Sequence, residues 1–175
     1  MEQKNIGILN IDNNKKLLDK IKNICNTALS NGIYVKVHNT DYLKKNLLEM
    51  FPSLKISAAN VAPEFGVCET KNFINILEKH YLFNLENDFL EMAYNSNKWK
   101  KWVMLGSQIS PRDKAILAGH YVFSDEKFLR IKEKAQINIK YINIDEYLKA
   151  SVKNCIMNYI NCFSVKVNTK DQAIC

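Results

Sequence analysis

The chain has 175 residues, 47% of them hydrophobic, which is enough for one domain with a real core and excludes an intrinsically disordered chain. It holds no run of about 18 apolar residues, and MEQKNIGILNID at its start lacks the regions of a signal peptide, so a cytoplasmic protein without membrane spans is expected. The net charge of +7 comes mainly from lysines spread along the chain, with only Arg112 and Arg130 as arginines, and does not by itself point to nucleic acid.

"IGILNID" (6–12) reads as a short apolar strand, with Asn10 and Asp12 at its end. A helix over 15–30 follows, because Leu17, Leu18, Ile21, Ile24, Cys25, Ala28 and Leu29 recur at helical spacing. Asn31-Gly32 ends it in a left-handed turn. "IYVKVH" (33–38) is rich in β-branched and aromatic residues and reads as the second strand. Thr40 or Asp41 then caps a helix of about ten residues, with Tyr42, Leu43, Leu47 and Leu48 apolar and Pro52 as its stop. "LKISAA" (54–59) reads as a third strand, "NVAPEFG" (60–66) as a loop, and 67–80 as a helix.

This β-α-β-α-β-α order predicts an α/β fold with about three parallel strands, since helices of this length cross over to parallel neighbours. The second half reads as helical, at 86–94, 97–105, 111–118, 125–138 and 145–163, with 138–144 as an extended connector. Pro111 suits a first helical turn and Ser124 a cap. The expected organisation is three βα units over 1–83, a helical region over 84–165 and a tail over 166–175.

Polar residues gather after each predicted strand: Asn10 and Asp12, then His38, Asn39, Thr40 and Asp41, then Asn60 and Glu64. In parallel α/β folds the strand carboxyl ends share one side, where ligands bind. His38, Asp41 and Glu64 are therefore the candidate catalytic residues, and Asn39, Asn60, Asp12 and His120 the candidate substrate-binding residues. A neutral imidazole binds a divalent metal or acts as a base, which makes His38 the candidate metal ligand. No glycine-rich nucleotide loop, H-E-x-x-H or G-x-S-x-G occurs. The five cysteines show no C-x-x-C and are expected to be reduced and structural. Lys98, Lys100 and Lys101 interleave with Trp99 and Trp102, a pattern that fits a nucleic-acid track or, more simply, a helix with tryptophan inward and lysine outward.

Residues 54–78, "LKISAANVAPEFGVCETKNFINILE", with "NKWKKW" (97–102) and "GHYVFSDEKFLRIK" (119–132) after them, follow the layout of one family. The chain resembles the non-catalytic subunits of class II tagatose-bisphosphate aldolases and related sugar-processing aldolase-type barrels. The match of layout spans roughly 33–163, and the loop "NVAPEFG" departs from it. The resemblance implies the carboxy-terminal part of a (β/α)8 barrel followed by a helical region. Complete barrels take about 250 residues, so a missing barrel half or a catalytic aldolase subunit is the implied partner, in an oligomer.

The implied function is a stabilising subunit in carbohydrate metabolism that binds a ketose phosphate or related sugar. An enzymatic variant, a sugar-acid or sugar-phosphate epimerase or aldolase fragment, would call for a divalent metal and a base. The third reading is a small α/β interaction protein without catalysis, whose basic face meets an acidic partner. Nucleic acid is not the expected ligand.

Overall fold

A computed structural model describes residues 15–104 and 106–163; the predicted strand at 6–12, with Asn10 and Asp12, lies outside them. Helix accounts for 68% of this structure and strand for 3%, which overturns the expected partial (β/α)8 barrel with about three parallel strands. The protein is mostly helical. The described residues divide into two compact units: 15–60 with 156–163, and Val61–Cys155.

The first, strand-bearing unit contains α1 (Lys15–Ser30), β1 (Lys36–Val37), α2 (Lys45–Met50) and β2 (Ala58–Ala59). Helix α1 ends as its sequence requires. The Gly32 amide donates to Leu29 O at 3.0 Å and the Ile33 amide to Ala28 O at 2.9 Å, with Gly32 left-handed at φ 72°. That closure also shortens the expected strand at 33–38, because the Ile33 N–H is already used by the helix end. Hydrogen bonding across the sheet begins at Val35, whose carbonyl accepts the Ser57 and Ala58 amides, and β1 runs parallel to β2 in the register Lys36–Ala58 and Val37–Ala59.

The expected strand at 54–59 is shortened for a similar reason. Leu54, Lys55 and Ile56 donate their amides back to Met50, Pro52 and Phe51 at 3.0–3.1 Å, and Lys55 is left-handed. "LKI" therefore wraps the end of α2, and bonding to the other strand begins at Ser57, with Ala58–Ala59 as β2. Nor do Thr40 and Asp41 cap a helix. Asn39 and Tyr42 both take positive φ, the chain turns there, and α2 starts at Lys45 with Lys44 at its cap.

The second, helical unit contains α3 (Pro63–Lys79), α4 (Phe83–Asn95), a 3-10 turn at Lys98–Lys101, α5 (Pro111–Ala118), a 3-10 turn at Gly119–Val122 and α6 (Glu126–Asn138). The stretch of α7 (Ile144–Cys162) through Cys155 belongs to it as well. Pro63 is the first residue of α3, so the expected loop over 60–66 is partly helix and Glu64 lies in a first turn. Asn97 is left-handed and confines the expected helix at 97–105 to a single 3-10 turn.

The core of this unit is aromatic at its centre. Phe73 meets Phe89 and Phe128 edge-on at 5.1 Å each, and Phe89 lies 5.6 Å from Phe128. Gly119 permits close packing, since a Cβ there would fall 2.4 Å from Thr70 Cγ2. Ser110 accepts the Asp113 amide at 3.0 Å and caps α5. Arg112, in the first turn of α5, binds Glu86, which is only 5% exposed, and Glu78 at 2.6 Å. Breaking such a pair would leave a buried carboxylate uncompensated. Gln136 organises the link after α6: its amide donates to Ile139 O and Ile142 O, and its carbonyl accepts the Ile144 amide. Among the described residues no helix is long and apolar enough to cross a membrane.

Candidate functional site

Among the described residues, each unit holds a surface group of chemistry-bearing side chains. In the strand-bearing unit, the carboxyl ends of β1 and β2 bring His38 and Asn60 together, with His38 Nδ1 3.5 Å from Asn60 Nδ2. The parallel register does this, because each residue directly follows, by one position, a residue of the paired strands. His38 and Asn39 are exposed and Asn60 is half-buried.

The neighbours in the His-Asn-Thr-Asp row serve the fold instead. Thr40 is buried; its amide donates to Asn60 O at 2.9 Å, its hydroxyl donates to the same oxygen, and Tyr159 Oη donates to Thr40 O at 3.2 Å. Asp41 is 2% exposed, so its carboxylate is not offered at the surface. Glu64 and His120 belong to the helical unit. Glu64 is half-buried in the first turn of α3. The ring of His120 packs on Gly66, where a Cβ would fall 2.5 Å from His120 Cγ, and it tilts against Tyr121 at 4.1 Å. Burial holds the His120 pKa below the usual imidazole value, and its buried Nδ1 has no hydrogen-bond partner. Asp12 lies outside the described residues.

Among the described residues no three or more His, Cys, Asp or Glu side chains gather as a metal site. Among the described residues His38 is thus not part of a group with enough ligands for a divalent metal.

The second group is a lysine-rich aromatic face on the helical unit. Trp99 stacks on Tyr94 at 5.7 Å and donates its indole N–H to Tyr94 O at 3.0 Å. Lys114 Nζ lies 4.8 Å from the Trp99 ring centre and Lys100 Nζ 5.6 Å, while Lys101 Nζ lies 5.2 Å from that of Tyr121. Trp102 donates to Tyr121 Oη at 3.1 Å, which ties the two rings into the fold. Lys98 is exposed beside them. The sequence marks Lys98, Lys100 and Lys101 but not Lys114, which is fifteen positions from Trp99 and reaches it only through tertiary packing.

Compared with known proteins, the chain matches no family model, no curated protein and no solved structure.

Proposed function

We propose that this chain is a non-catalytic, cytoplasmic accessory protein that docks an acidic partner protein through Lys98, Lys100, Lys101 and Lys114. The observation that carries this reading is the set of lysine–ring contacts on Trp99 and Tyr121. A free lysine loses much side-chain entropy when it is fixed at an interface. Lysines already laid over aromatic rings lose less, and their charges steer an acidic surface into register. Trp99 has its π-surface taken up by Tyr94 and two ammonium groups, which leaves little for stacking a base. That favours a protein over a nucleic acid. The resemblance to stabilising aldolase subunits agrees with an accessory role, although the barrel it implied is not the fold.

Trp99 and Trp102 are the only tryptophans, so their emission reports on this face. Titration with poly-L-glutamate at low salt is expected to change that emission. Binding should weaken as salt rises, and the Lys100→Glu/Lys101→Glu variant should bind at least about tenfold more weakly, as loss of two charge contacts implies. Tighter binding of oligo-dT than of poly-L-glutamate would overturn the reading.

His38 and Asn60 favour a second reading, a sugar-phosphate subsite at the ends of paired parallel strands. Calorimetric titration with a ketose bisphosphate tests it. Binding that His38→Ala weakens supports it, and the absence of heat with the wild-type chain ends it.

A further inference from the structure

Helices α3 and α7 meet along a polar seam within the helical unit, where Asn72 Oδ1 and Tyr147 Oη are 3.3 Å apart. Two thiols lie on the same seam. Cys68 stands one turn beyond Glu64 on α3, and Cys155 one turn beyond Ser151 on α7. The Cys68 thiol donates to Ser151 O at 3.7 Å, the carbonyl that the Cys155 amide reaches in a regular helix. The Cys155 thiol is close enough to the Cys68 side chain to feel it, since Cys68 contributes to the raised pKa of Cys155. Asn72, one turn further along α3, places its Nδ2 3.6 Å from Cys68 Sγ. Both cysteines are half-buried, within reach of a small oxidant.

We propose that Cys68 and Cys155 are a modification site, a dithiol that closes into a reversible disulfide and clamps α3 to α7. Side chains as small as cysteine and serine let two helices approach closely, and a disulfide needs its Cα atoms within about 7 Å. The oxidant is a low-molecular-weight disulfide such as oxidised glutathione. One cysteine gives up its proton and attacks a sulfur of that disulfide; its S–S bond breaks and one thiol leaves. The second cysteine loses its proton and attacks the protein-bound sulfur, which forms the Cys68–Cys155 bond and releases the second thiol. Two electrons and two protons pass from the protein to the small disulfide, so no further reactant is needed. Burial pushes the Cys155 thiol up to about 12, with Cys68 and Glu64 adding to the rise. Attack by so protonated a thiol is slow, so closure at neutral pH is slow as well.

The test uses the full chain, incubated at pH 8 with excess oxidised glutathione, then alkylated and peptide-mapped. The expected product joins the Cys68 and Cys155 peptides, raises the melting temperature by about 5 °C or more, and reverts with dithiothreitol. Cys68→Ser and Cys155→Ser each lose both effects, whereas Cys25→Ser keeps them. Two outcomes overturn the proposal: Cys68 and Cys155 stay alkylated or separately glutathionylated throughout, or the bond joins either one to another cysteine. The wild-type map decides between these whether or not a variant folds.

Discussion

The two units use the same kind of amphipathic helix and bury it to different depths. In the helical unit α3 covers Val67, Phe73, Ile74, Ile76 and Leu77 in one continuous core. In the strand-bearing unit α1, of similar length, buries only Cys25. Ile24 on that helix is 65% exposed, and an apolar hollow of about 350 Å³ opens between Leu18, Ile21, Val35, Leu47 and Phe51. Helical spacing of apolar residues tells which face seeks cover, but not how completely it is covered. Completeness depends on a second layer, and two two-residue strands make a thin one.

The sharpest way to break this comparison is to remove one side chain from each unit. Phe89 is fully buried and touches three aromatic rings, so Phe89→Ala is expected to cost about 3–5 kcal/mol, the transfer term plus the cavity. Ile24→Ala is expected to change stability by no more than about 0.5 kcal/mol, as for an exposed site. Urea unfolding of both variants checks the pair, with tryptophan emission reporting on the helical unit and hydrogen exchange on α1. Equal losses would mean that the units do not differ in packing as described.

A smaller effect is expected at the end of α1. Gly32 has φ 72°, and a Cβ placed there meets nothing within 4 Å. Gly32→Val therefore carries a backbone cost alone, about 1–2 kcal/mol for a β-branched residue in the left-handed region. Hydrogen exchange should speed up at the Gly32 and Ile33 amides, which donate to Leu29 and Ala28. Unchanged protection there would show that the helix end does not rely on this closure.

The residues that the sequence made legible are those with local causes. Apolar spacing marked α1, Pro111 marked the start of α5, and Asn31-Gly32 marked the end of α1. Strand length was not legible, because it depends on which amides are still free. Ile33 and Leu54 look like strand residues, yet their N–H groups are claimed by adjacent helix ends. His38 and Asn60 were legible as neighbours, since both follow strands that pair in parallel. The burial of Thr40 and Asp41 was not, because a polar residue that holds a turn and one that meets a ligand look alike in sequence. Pro63 was a usable sign that Glu64 begins a helix, and the reading of 60–66 as a loop passed over it. Cys68 and Cys155 carried no local sign; eighty-seven positions separate them, and only the packing of α3 on α7 joins them.

The smallest effect expected is a pH dependence confined to the helical unit. His120 sits on Gly66 with Nδ1 buried and unpartnered, and burial lowers its pKa from the usual imidazole value of 6.5. The unfolded chain therefore binds more protons than the folded one between the two pKa values. Stability rises with pH wherever that holds. The contribution of His120 is thus fully present above about pH 6.5, the unfolded imidazole value, and is lost as pH falls toward the lower folded value. His120→Asn removes the titration while keeping a polar side chain. Urea midpoints followed by tryptophan emission from pH 7.5 to 5 should fall more steeply for the wild type than for His120→Asn. Groups common to both chains cancel in the difference. Parallel curves would mean that the imidazole finds a partner or water in solution, and that its burial against Gly66 does not set its charge.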